Sequence, residues 1–245
     1  MKKTILLLTL IALIFSCNSD NSEPSQNNNA PLGKLIKTQT TFTVSGESDI
    51  VYNSYSYDDL GRVSGINYGL ENTTTYVNYL YNDEGQIWKE NFSDGNSREY
   101  QYTNGLITSI TFSNSETNFE LIYDSNSQLI QAKNYDGDIF QSDKNFTNDS
   151  NGNVLTVGEG TSLTTYEYDN RNNPLNDAFE NQEFNKISHV FPLIPPINTA
   201  NNIITKSGSF NSTLTHTYNT NGFPLTTEEI VSNEESRFVT YTYQE

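Results

Sequence analysis

One cysteine, one methionine and one tryptophan occur in 245 residues. With Cys17 alone, the chain has no internal disulfide framework. That cysteine and two histidines, His189 and His216, are too few for a His/Cys zinc site. Basic residues are scarce as well: 13 Lys and Arg against 30 Asp and Glu, a formal charge of −17. A surface of that sign repels phosphate backbones, so no nucleic-acid partner is expected. The chain has no Gly-x-Ser-x-Gly elbow and no phosphate-cradling glycine loop, and no cofactor is expected. Hydrophobic residues make up only 34%, so an aliphatic core is thin; 16 Tyr and 13 Phe supply the apolar area instead.

The longest apolar run, residues 5–15, is too short to span a bilayer, which needs about 20 residues. After Lys2 and Lys3 it fits a secretory signal of residues 1–16. Leu13-Ile14-Phe15-Ser16-Cys17 resembles a bacterial lipobox, with bulky Phe15 as a departure. The resemblance implies that Cys17 is acylated and membrane-anchored. Residues 17–31 are polar, aperiodic and tether-like. The expected location is the outer membrane, lipid-anchored, on its surface or periplasmic face.

Residues 32–245 carry a repeat. Its pattern is aromatic-x-Tyr, then Asp or Asn, a polar stretch with Gly, and an aliphatic residue. Tyr55-Ser56-Tyr57-Asp58-Asp59-Leu60-Gly61-Arg62-Val63 and Tyr79-Leu80-Tyr81-Asn82-Asp83-Glu84-Gly85-Gln86-Ile87 are its clearest copies. The Gly slot falls at 61, 85, 105, 127, 152, 172 and 222, with gaps of 24, 20, 22, 25, 20 and 50. The last gap predicts a replaced or missing unit, and Tyr241-Thr242-Tyr243 reads as an eighth unit cut short. Tyr-x-Tyr puts both rings on one sheet face, and Asp or Asn followed by Gly suits a tight turn. The prediction is all-β: an antiparallel meander of about sixteen strands, a curled sheet or closed barrel. Ser56, Gln101, Glu167 and Thr242 between the aromatics make the outer face polar, so the barrel is not expected to be membrane-inserted.

Tyr57-Asp58-Asp59-Leu60-Gly61-Arg62-Val63 resembles the YD repeat of the Rhs family. Asp169-Asn170-Arg171-Asn172-Asn173-Pro174-Leu175 resembles a segment of Bacteroidetes lipoproteins with a porin-like β fold. The lipoprotein resemblance implies a long curled or closed meander with no assigned activity.

Residues 174–202 interrupt the period. A short helix is expected over 178–187 with Asp177 as its cap. The apolar, proline-rich 188–197 is expected to pack on the aromatic face and close one opening. His216 occupies an aromatic slot and reads as a packed ring. Asp149-Ser150-Asn151-Gly152-Asn153 alternates oxygen ligands but lacks the full pattern of a calcium loop, so no metal is expected. Trp88, Tyr79, Tyr81 and Phe191 are the candidate glycan-contacting residues, since aromatic faces stack on sugars. The expected role is a non-enzymatic envelope lipoprotein that binds a glycan or envelope protein. The alternative is a carbohydrate-processing enzyme using two carboxylates at a defined separation.

Overall fold

The computed structural model describes residues 32–70, 75–158, 162–179, 184, 185, 187, 200–208, 211–232 and 235–245. Cys17, the signal and tether, and the 188–197 segment with His189 and Phe191 lie outside the described residues. The described chain is a closed barrel of sixteen antiparallel strands in sequence order. It runs from β1 (Leu35–Val44) to β16 (Glu235–Tyr243), and those two pair to close the ring. Closure leaves no sheet edge unpaired.

One repeat supplies two strands, a motif turn after the Tyr-x-Tyr, and a return turn at the other end. In the motif turns, Asp or Asn brackets the backbone. Asp58 Oδ1 accepts from Leu60 N at 3.0 Å and Arg62 N at 2.9 Å. Asp124 and Asp149 do the same two and four residues on, at 2.8 and 2.9 Å each. Gly61 and Gly85 take φ of 78°, which the turn requires and a side chain resists.

Immediately after each turn comes a β-bulge. Tyr57 pairs with Val63 and Ser56 with Gly65, leaving Ser64 extra. The same break leaves Trp88, Thr108, Ile130, Leu155, Ile204, Leu225 and Ile36 extra in the other repeats. A bulge shifts the alternation by one, so both the aliphatic residue and the residue three after it face inward. That pattern gives eight inward aliphatic-slot residues: Leu35, Val63, Ile87, Ile107, Leu129, Val154, Ile203 and Pro224.

The register corrects the repeat assignment in two places. Tyr168 pairs with Ile203, so Ile203, not Leu175, fills the aliphatic slot of the sixth unit. The chain between Asn172 and Asn201, which pair with each other, is therefore an excursion inside one motif turn. The eighth unit is not cut short, because Tyr243 pairs with Leu35 at the start of β1.

A second regularity ties neighbouring repeats together. The second Tyr of each pair donates its hydroxyl to the aliphatic-slot carbonyl of the repeat before. Tyr57 bonds Leu35 O at 2.6 Å, Tyr81 bonds Val63 O at 2.8 Å and Tyr102 bonds Ile87 O at 2.6 Å. Tyr123 bonds Ile107 O at 2.9 Å, Tyr168 bonds Val154 O at 2.7 Å and Tyr243 bonds Pro224 O at 2.7 Å. Asn148 stands in the Tyr slot and its Nδ2 still reaches Leu129 O at 2.9 Å. Bulges free these carbonyls from the ladder, and the tyrosines satisfy them. In the interrupted unit His216 Nε2 lies 2.9 Å from Ile203 O instead, which confirms His216 as a packed ring.

The excursion is short-helical: Phe184 and Asn185, inside the expected 178–187, are helical, and a further helix precedes that range. Helix α1 is Pro174–Ala178, capped by Asn173 rather than Asp177; Asn173 Oδ1 accepts from Leu175 N at 2.9 Å. Pro174 at the first turn fits a helix start, since its missing N–H would find no partner there.

Candidate functional site

The barrel's interior divides into two halves. In the motif-turn half, Leu35, Val63, Ile87, Ile107, Leu129 and Val154 are almost fully buried. The described residues of the excursion pack into the same core. The excursion leaves between β12 (Thr164–Asn172) and β13 (Asn201–Ser207) and reaches β4 (Tyr76–Tyr81), eight strands away in a ring of sixteen. Phe179 meets Tyr79 edge-on with centroids 5.2 Å apart, and Phe184 meets Tyr79 at 5.8 Å and Tyr100 at 5.5 Å. The two phenylalanines stack at 5.6 Å. Ala178 and Ile187 are fully buried beside them. The described part of the excursion thus plugs the lumen and packs against the opposite wall.

In the return-turn half, rings line the lumen without being sealed off. Tyr68, Phe92, Phe112 and Phe119 are half-buried on the strands between β3 (Val63–Gly69) and β8 (Thr117–Tyr123). The Arg98 guanidinium lies between two of them, 5.2 Å from the Phe92 centroid and 5.3 Å from that of Phe112. On the other arc Arg237 lies over Phe42, which is 36% exposed, at 5.2 Å. In each of these cation–π pairs the guanidinium covers a ring face.

Two buried carboxylates sit beneath these cations. Glu90 accepts from Arg98 Nη1 at 2.8 Å and from the Tyr100 hydroxyl. Burial pushes the Glu90 carboxyl above its ordinary range, with the Arg98 charge pulling the other way. The same burial raises the Tyr79 and Tyr100 hydroxyls. Glu229 accepts from Lys206 Nζ and Ser212 Oγ at 2.8 Å each, and Arg237 Nη1 lies 3.4 Å away. Burial opposes ionisation there too, but Arg237 and Lys206 hold the Glu229 carboxyl below its usual range. Glu90 and Lys206 occupy the inward slot three residues after the aliphatic one, which is Ile66, Ile110, Ala132 and Val157 in four other repeats and Thr38 and Thr227 in the remaining two. Aligning the repeats against one another picks both out as charges in a core position.

Trp88, Tyr79 and Tyr81 do not share a surface. Trp88 is on the outer wall, partly exposed, with Lys89 Nζ 5.7 Å from its ring. Tyr79 is buried against the plug, and Tyr81 faces inward with Arg62 stacked on it at 4.0 Å. Turn carboxylates such as Asp149 spend their oxygens on Asn151 N, Asn153 N and Asn153 Nδ2. Among the described residues no group of His, Cys, Asp and Glu is arranged to hold a metal ion. On the outer wall Glu99, Gln101, Thr103, Thr213, Thr215 and Thr217 are exposed. The apolar Trp88, Ile130, Leu155 and Leu225 between such residues are about 36–42% exposed.

No family model matches the sequence. No curated protein sequence is significantly similar to it. Among solved structures, a porin-like protein from Bacteroides uniformis shares the fold, with a TM-score of 0.59 and 12% identity. The match covers 88% of this chain and all of the other. Parts of two much larger assemblies also match. The TcdB2-TccC3 complex gives a TM-score of 0.30 and 16% identity, over 80% of this chain and 9% of that one. The Photorhabdus luminescens Tc holotoxin pore gives 0.30 and 19%, over 78% and 8%. This chain spans less than a tenth of those toxin chains.

Proposed function

We propose that the protein is a non-enzymatic lipoprotein of the cell envelope, built on YD-type repeats and anchored through Cys17. It binds a glycan or a protein of the envelope with the return-turn mouth of its barrel. The observation that carries this reading is the lumen's asymmetry. One half is filled by the chain's own Phe179 and Phe184; the other presents partly exposed rings and guanidinium groups. The two buried lumen carboxylates are engaged by cations, which favours a binding role over acid–base chemistry at Glu90 or Glu229. A polar outer wall suits a barrel held by a tether, because a lipid-facing barrel needs a continuous apolar band about 25 Å tall.

Two measurements test the reading. Cys17→Ala is expected to release the protein from membranes into the soluble fraction; a variant that still pellets and resists alkaline carbonate defeats the anchor. A glycan array run beside an envelope pull-down tests the mouth. Phe112→Ala and Phe119→Ala are expected to lower capture while leaving the far-UV spectrum unchanged. Capture that depends on Trp88 instead places the site on the outer wall.

A further inference from the structure

The strands at the two ends of the barrel rebuild the repeat's own turn without a covalent link. In the continuous first turn, Asp58 N donates to Arg62 O at 2.8 Å and Gly61 N to Asp58 O at 2.9 Å. At the seam, Gln244 N donates to Lys34 O at 2.8 Å and Gly33 N to Gln244 O at 2.8 Å. Gly33 has φ of 82°, against 78° at Gly61 and Gly85. Gln244 therefore stands for Asp58, Gly33 for Gly61 and Lys34 for Arg62. The bulge and the Tyr57 bond to Leu35 O follow in their usual places.

One part of the pattern is absent from this split turn. Asp58, Asp124, Asp149 and Asn219 each bracket the amide four residues on, at 2.9–3.0 Å. Gln244 turns its carboxamide to Glu245 O at 3.3 Å instead. In place of the bracket the seam has the excursion. Lys34 Nζ donates to Asp177 O at 2.7 Å and lies 3.3 Å from Asp177 Oδ2. Thus α1, which leads into the lumen plug, also holds the N-terminal half of the split turn.

We propose that the β1–β16 seam is the barrel's opening point and that α1 is its latch. Every other neighbouring pair of strands stays joined by a loop if its ladder opens. The seam has no such loop: its ladder, the Arg237–Phe42 contact across it and this latch hold it. Seating of the plug and closure of the ring are then one cooperative event, because Asp177 is one residue from buried Ala178 and two from Phe179.

Hydrogen exchange of the full chain, read by mass spectrometry, tests this. Lys34→Met, which removes both contacts to Asp177, is expected to speed exchange about ten-fold at the seam amides of residues 33–40 and 238–244, and to leave residues 76–136 unchanged. Gln244→Asn brings a carboxamide oxygen to the bracket position beside the residue 34 amide. It is expected to slow seam exchange and to reverse the Lys34→Met effect in the double variant. Uniform acceleration across all strands, or no change at the seam, overturns the latch. If Lys34→Met does not fold, Gln244→Asn decides alone: slower exchange confined to the seam supports the proposal and unchanged exchange overturns it.

Discussion

Replacing Phe184 with Ala tests whether the excursion is part of the core or a loop resting on it. Phe184 is fully buried and touches three rings, Tyr79, Tyr100 and Phe179, on three different segments. Deleting a buried phenylalanine costs about 3–5 kcal/mol, from lost transfer energy and the cavity left behind. Each edge-on ring pair adds about 0.5–1.5 kcal/mol beyond its area, and that share is contained in the total. For a domain of this size, about 2–4 °C of melting temperature accompanies each kcal/mol, so a drop of roughly 6–20 °C is expected. Calorimetry measures it, and an apolar dye should bind more strongly as the rings of Tyr79 and Tyr100 are uncovered. Phe179→Ala and Phe184→Ala together should cost less than the two separately, because their stacking is lost only once. A shift under about 2 °C with unchanged dye binding would refute the core assignment.

Glu229→Gln tests the paired lumen carboxylate. Its pKa lies below the ordinary value when folded, so its stabilisation is present above that value and is lost as pH falls through the folded one. The variant should lose about 1–3 kcal/mol at pH 7 in urea unfolding, with the gap to wild type closing below about pH 4; a gap constant with pH removes the ion-pair explanation. Tyr81→Phe and Tyr168→Phe should each lose about 1–3 kcal/mol by orphaning a bulge carbonyl, and the pair should be additive because the residues lie in well-separated repeats. A neutral Tyr81→Phe would mean water replaces the hydroxyl. Asp149→Ala should cost about 1 kcal/mol from the lost turn bracket, and calcium should leave the wild-type melting temperature unchanged; a calcium-induced rise lost in the variant restores a metal role.

Strand number and inward tyrosines were legible because both follow from local chemistry. Asp or Asn followed by Gly marks a turn, and two-residue alternation assigns a face. The bulges were not legible, since Val63-Ser64-Gly65 and Ile87-Trp88-Lys89 have no composition in common. Without them Glu90, three residues after inward Ile87, is read as facing outward, whereas one extra residue turns it into the lumen. The sixth unit was misassigned for a related reason: Pro174-Leu175 matches the aliphatic slot by spacing. The true occupant, Ile203, is separated from Asp169 by an excursion whose length no local rule anticipates. Asp169 still finds its partner, accepting from Asn202 N at 3.1 Å where other units use the amide four residues on. Glu90 was passed over because its buried charge is satisfied by Arg98 and Tyr100, on the next strand.

That bridge from Asp169 to Asn202 has an architectural meaning. The motif turn can be opened, lead the chain about thirty residues away into the lumen, and resume its ladder at Ile203 with the bulge intact. A motif turn is therefore a socket: strand order and register continue on either side of the insert, while the insert supplies part of the core. Different inserts at this or another such turn can give one unaltered wall different contents. Lineages sharing the wall would then diverge in their excursions, and a designer could graft a peptide between Asp169 and Asn202 to hold it within the ring.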